Sequence, residues 1–187
     1  MTRPGTRTLI LLAVVAFFAA TAVTFSVGTE GDVLEYRKMA EAAPGTPDRD
    51  VGSAYTGRFA LHYGVGLLAE ATPLSVNGAY VAAWLVVAIA LLAVLCALLS
   101  RTGPVPFAVG LALVVLNPYL LRGSATGMGT VQDLVFVLGL ALCVLGLLRV
   151  RPAVVLAGLV LGILGRQSAL LVAPAAALWM AFADDWR

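Results

Sequence analysis

Histidine occurs once in the chain, as His62, and cysteine twice, as Cys96 and Cys143. A lone imidazole and two thiols with no CxxC spacing do not make a zinc site. Both cysteines fall inside long apolar runs, where they read as buried free thiols. The sequence holds no GxSxG elbow, no P-loop and no internal repeat. GVGLLA at 64–69 has the letters of a dinucleotide fingerprint, but no strand precedes it and no βαβ unit surrounds it, so the match is coincidental. Charge is sparse as well. Twelve basic against ten acidic residues leave a net of +2, without the basic excess that would suggest a nucleic-acid partner.

Apolar residues fill the space that charge leaves. They make up 61% of the 187 residues, the mean hydropathy is +0.98, and they arrive in long blocks rather than scattered. Ordinary soluble domains have a smaller apolar share. The blocks cover 8–27, 79–100, 105–121 and 131–148, each close to the ~20 residues with which a helix crosses a bilayer. A fifth region, 153–182, would measure ~45 Å as one helix, too long for a ~30 Å hydrocarbon core, so it is expected to break near Gly165 into a broken span or helical hairpin. The expected architecture is all-α: a single polytopic membrane helical bundle over 1–187, with five or six transmembrane segments.

Basic residues orient it. Arg3 and Arg7 precede the first span, Arg101 follows the second, and Arg149 and Arg151 separate the fourth from the fifth, so these ends are assigned to the cytoplasm, with the N-terminus. Residues 28–75 then form a large outer loop. It contains seven acids (Glu30, Asp32, Glu35, Glu41, Asp48, Asp50, Glu70) and four bases (Arg37, Lys38, Arg49, Arg58). An amphipathic stretch over 32–43, stopped by Pro44, and a semi-apolar stretch over 59–71 are expected to be short helices within it. Arg37 and Lys38 are expected on a solvated face, and His62 in a packed interface. Tyr80, Trp84 and Tyr119 sit where interfacial belt aromatics are found.

Four charges are set apart by their depth. From a cytoplasmic start near Pro152, Arg166 stands ~21 Å along its helix, near the outer leaflet; Asp133 opens the fourth span at its outer end, ~24 Å from Arg149. Asp32 follows the first span closely, and Arg58 leads the 59–71 stretch. Ionisable groups at membrane depth are costly and by default mark a cavity or pathway. Plainer explanations exist for each. Thr29-x-x-Asp32 and Thr130-x-x-Asp133 fit a loose capping box, and Arg166 suits a helix end beside Gly165 with its head among lipid headgroups. Gly158 and Gly162 form a GxxxG, whose ordinary meaning is helix packing.

Four stretches carry a resemblance: GDVLEYRKMAE (31–41), YTGRFALHYGVGLLAE (55–70), QDLVFVLGLAL (132–142) and GILGRQSALLVAP (162–174). Together, and with Asn117-Pro118, they resemble the N-terminal half of bacterial polytopic membrane glycosyltransferases of the glycosyltransferase C superfamily. That superfamily commonly has an acid and then a Tyr after the first span, an Arg-led segment before the second, and a later Arg-polar-polar stretch ahead of an apolar run ending in Pro. It usually has more spans than five or six, so the chain is expected to be partial.

The resemblance implies a multi-pass protein of the bacterial plasma membrane. Its partners would be membrane lipids and a lipid-linked sugar donor of the polyprenyl phosphate class. Sugar would pass to an acceptor on the outer face with inversion. Asp32 matches the loop carboxylate that acts as general base. Arg58 and Arg166 are the candidates for holding the donor phosphate, and Asp133 and Gln167 for orienting them or binding a sugar hydroxyl. No metal ligands are assigned, although such chemistry leaves room for a divalent metal, and the oligomeric state stays open. The rival expectation is a non-enzymatic multi-pass component, a transporter subunit or assembly partner, in which Asp133 and Arg166 are a structural pair.

Overall fold

A computed structural model describes residues 31–47, 58–100, 102–115 and 127–182, together with Thr8, Leu11, Val27 and Ala125. The expected first span, 8–27, lies almost wholly outside them. Among the described residues the chain is all-helical, with no strand. The helices are α1 (Asp32–Glu41), α2 (Phe59–Ala71), α3 (Val76–Leu99), α4 (Pro104–Val115), α5 (Val131–Leu148), α6 (Pro152–Gly165) and α7 (Val172–Phe182). Short 3-10 turns at Met128–Thr130 and Gln167–Leu171 lead into α5 and α7.

Two of these helices, α3 and α5, are long and apolar enough to cross a membrane. At 24 and 18 residues they measure ~36 and ~27 Å. Both are apolar nearly all round, and α3 has no charged residue to mark a water-facing stripe. Large apolar side chains therefore face outward along the bundle: Val86, Leu113, Leu148 and Leu156 are each more than 60% exposed. Helix α4, ~18 Å long, takes up the first part of the third expected span, and 116–120 lie outside the described residues.

Local sequence explains the ends. Gly31 caps α1 at φ +60°, ψ −138°, backbone that a side chain would strain. Asp32 and Glu35 occupy its first turn and Lys38 its last, each matching the helix dipole. Ser75 Oγ accepts from the Gly78 amide at the start of α3. Pro152 opens α6, where its missing N–H costs nothing. The fifth region does break where expected. The Arg166 amide still donates to Gly162 O at 2.8 Å, but its own backbone is extended, and α7 starts six residues later.

Helices α5 and α6 pack antiparallel and very close, because glycines line both sides. A Cβ at Gly158 would stand 2.6 Å from the Cys143 amide nitrogen and 2.7 Å from Gly139 O. The GxxxG of Gly158 and Gly162 thus acts as a packing face. Helices α3 and α5 run parallel. Their N-terminal ends meet through Tyr80, His62 and Gln132, and their C-terminal ends through Arg149 Nη2, which donates to Ala97 O at 3.2 Å. The core between them contains Trp84, Leu91, Leu92, Leu134 and Leu138, with Phe107 and Leu111 from α4.

Two expectations are corrected here. Tyr80 and Trp84 are not belt aromatics but fully buried, since α1 and α2 close over the start of α3. Thr130 does not cap α5 with its side chain; its hydroxyl donates to Gly127 O at 2.7 Å.

Candidate functional site

The site lies where α1 and α2 cover the N-terminal ends of α3 and α5 and the C-terminal end of α6. Gly66 of α2 presses against the backbone of Ala40 in α1, so the two short helices are locked face to face. This contact sets Arg58, at the head of α2, against Tyr36, in the middle of α1.

Tyr36 is the hub. Its ring is completely buried and stacks on His62, centroids 4.1 Å apart and planes 7° from parallel. Its hydroxyl accepts a hydrogen bond from Arg58 Nη1, and the guanidinium carbon lies 5.9 Å from the ring centroid. Burial raises the phenol's pKa above the ordinary value, while Arg58 pulls it back; Asp32 and Asp133 act on it too, both raising it. Arg166 also lies within electrostatic reach of Tyr36. Of the four charges singled out from the sequence, Arg58 bonds this phenol, and Asp32, Asp133 and Arg166 lie within electrostatic range of it.

Arg166 and Asp133 pair directly, Nε to Oδ1 at 2.7 Å. Each side chain is roughly two-fifths exposed. Asp133 stands in the first turn of α5, so it meets both the helix dipole and a guanidinium. Asp32 is exposed at the first position of α1, and Arg58 is half-buried. Gln167 is exposed at the start of its 3-10 turn, apart from the buried polar groups below. Arg37 and Lys38 face outward in helical pairs with Glu41 (2.6 Å) and Glu35 (2.7 Å).

Below the charges lies a polar cluster that the sequence did not single out as a site. His62 is fully buried, and its Nδ1 is 3.0 Å from Tyr80 Oη. Tyr80 donates its one hydroxyl proton to the Tyr36 carbonyl at 3.1 Å. His62 must then supply the proton of the other contact, which fixes the Nδ1–H form. Its Nε2 and Gln132 Oε1 are buried without a hydrogen-bond partner among the described residues. Gln132 is near enough to favour the protonated imidazole, but the two groups are not aligned as a bond. Burial, reinforced by Arg58, wins: the imidazole pKa is pushed down to about 4, so His62 is neutral at neutral pH. Gln132 had a signal in the sequence, being a polar residue beside Asp133 in an otherwise apolar run. Tyr80 had none.

Among the described residues no group of three His, Cys, Asp or Glu side chains converges to hold a metal ion. The arrangement offers two guanidinium groups for an anion and carboxylates for hydroxyl groups, at one end of a bundle whose flanks are apolar. No protein-family model matches the chain, and neither does any curated protein or solved structure at a significant level.

Proposed function

We propose that the chain is part of a polytopic membrane glycosyltransferase. It would move sugar from a polyprenyl-phosphate donor to an acceptor hydroxyl at the outer face of the bacterial plasma membrane. The supporting observation is that Arg58 bonds the Tyr36 hydroxyl while Asp32 and the Asp133–Arg166 pair lie within electrostatic range of it. Such a transfer needs a base for the acceptor and cations for the leaving phosphate, side by side and next to lipid.

In this reading the Asp32 carboxylate takes the acceptor's hydroxyl proton as that oxygen attacks the anomeric carbon. The bond from anomeric carbon to phosphate oxygen breaks on the opposite side, which inverts the centre. The departing polyprenyl phosphate gains negative charge, and Arg58 and Arg166 hold it, since a guanidinium can grip phosphate with two parallel donors where water is scarce. Asp133 keeps Arg166 oriented, and Gln167 is available to a sugar hydroxyl.

The test is transfer by Asp32→Asn in membranes carrying the full-length protein. A general base contributes about 10²- to 10⁴-fold. Transfer should fall by that order with abundance unchanged, and persistent transfer sinks the assignment. One observation favours a non-enzymatic membrane component instead: Arg166 already spends Nε on Asp133. On that reading Asp32→Asn is silent in every assay, and only Asp133→Ala lowers abundance.

A further inference from the structure

We infer that His62 is a positioning residue for the donor phosphate: through its Nδ1–H bond to Tyr80 it seats Tyr36, and Tyr36 holds the Arg58 guanidinium in place. This rests on the proposed role of Arg58 in binding the donor.

Three contacts close into a ring. The Tyr36 side chain lies flat on His62, His62 is tied to Tyr80, and Tyr80 returns to the Tyr36 backbone carbonyl. Tyr36 is thus fixed at both its ring and its main chain by residues of α2 and α3. Tyr80 belongs to a candidate span, so the ring anchors the small helix α1 to the bundle. The fixed hydroxyl then accepts from Arg58. A guanidinium on a flexible stem loses rotamer freedom when it binds phosphate, and one held in advance loses less. His62 itself is completely buried and touches no ligand; its effect passes through Tyr36 and Arg58.

The chemistry at Nδ1 separates this role from simple packing. Phenylalanine at 62 preserves an aromatic ring for Tyr36 to stack on but has no N–H for Tyr80. Asparagine places an amide N–H close to where Nδ1–H stands.

The experiment measures binding of a polyprenyl monophosphate to the full-length protein in phosphatidylcholine nanodiscs, with donor KM and kcat read alongside. Arg58→Ala should weaken binding roughly 10- to 100-fold, as loss of a charged donor does. His62→Phe should weaken it about fivefold, the effect of one hydrogen bond, and Tyr80→Phe, which also loses the bond to the Tyr36 carbonyl, by at least as much, with the loss in donor KM rather than kcat. The double variant should be no weaker than Tyr80→Phe alone, because the bond that His62→Phe removes is already lost there. His62→Asn, which restores the bond to Tyr80 but not the ring beneath Tyr36, should recover part of the affinity. Equal loss in His62→Phe and His62→Asn overturns the Nδ1 role, and so does wild-type binding in His62→Phe and Tyr80→Phe while Arg58→Ala is weak. If His62→Phe fails to accumulate, Tyr80→Phe and His62→Asn decide by the same criteria. Unchanged binding in Arg58→Ala would instead sink the donor site on which the inference stands.

Discussion

Arg166 Nε lies 2.7 Å from Asp133 Oδ1, joining residues 33 positions apart across the closely packed α5–α6 pair. In water a pair this exposed contributes little, with a median of about 0–1 kcal/mol. Beside lipid, a guanidinium left without its carboxylate carries a penalty of a few kcal/mol on insertion scales. Asp133→Ala should therefore lower the amount of protein in the membrane, and exchanging the two residues (Asp133→Arg with Arg166→Asp) should recover part of it. Thermal stability of the two single variants and the Ala-Ala double variant in nanodiscs gives the coupling. A coupling indistinguishable from zero would mean that the pair sits in water.

That pair was legible in the sequence because charge is rare there. Two ionisable residues in long apolar tracts stand out, and the helical rise fixes their depth. The same economy made the 59–71 and 131–148 helices and the break at Gly165 readable. The Tyr36–His62–Tyr80 ring was not. Its members come from three helices, and although His62 was expected in a packed interface, its partners come from distant parts of the chain that only packing brings together. Tyr80 and Trp84 were misplaced for a related reason: on a helix apolar all round, periodicity does not say which face turns inward. Asp32, Arg58, Asp133 and Arg166 were readable as charges at one end, but their lying within range of a single phenol depends on the closeness of α1 to α2, set by Gly66 and Ala40.

His62 predicts how stability responds to acid. Its pKa in the folded protein is about 4, below the 6.5 of the free side chain. Above pH 6.5 the imidazole is neutral in both states and pH has no effect through it. Between pH 6.5 and 4 the unfolded chain takes up a proton that the folded one refuses, so stability falls, by roughly 3 kcal/mol at the lower end. Below pH 4 both states bind the proton and the loss levels off. Melting temperature against pH should show this slope in the wild type and lose it in His62→Phe; an identical slope in both would assign the acid sensitivity to other groups.

Glycines at the α5–α6 interface should rank by what a side chain would strike. Gly158→Val drives carbon into the Cys143 amide and Gly139 O, backbone atoms that cannot yield. It should separate the helices, pull Arg166 from Asp133 and destabilise by several kcal/mol, as severe overpacking does. At Gly162 the nearest atom to a new Cβ is that of Ala169, at 3.0 Å. A methyl in a short 3-10 turn can shift by the few tenths of an ångström required, so Gly162→Ala should cost about 1 kcal/mol or less. Gly64 in α2 is the control, with open space around it. Gly64→Ala should stabilise by about 0.5–1 kcal/mol through helix propensity alone. Melting temperatures of the three variants in one detergent test the order, and a Gly158→Val protein as stable as wild type would mean that α5 and α6 do not touch along this face.

Arg149 ties the far ends of α3 and α5 together, its Nη2 donating to Ala97 O in the last turn of α3. Ala97 O also accepts from the Ser100 hydroxyl at 2.8 Å, so Arg149 adds a second donor to this carbonyl and a cation at the negative end of the helix dipole. Arg149→Ala removes both contributions, whereas Arg149→Lys keeps the charge and a donor. The alanine variant should lose about 0.5–1 kcal/mol and the lysine variant about half of that, since both groups are exposed to solvent or headgroups. Because this contact is at the end opposite Tyr36, donor binding should be the same in both variants. Weakened donor binding in Arg149→Ala at full abundance would show that the parallel alignment of α3 and α5 is transmitted along their length to the charged end.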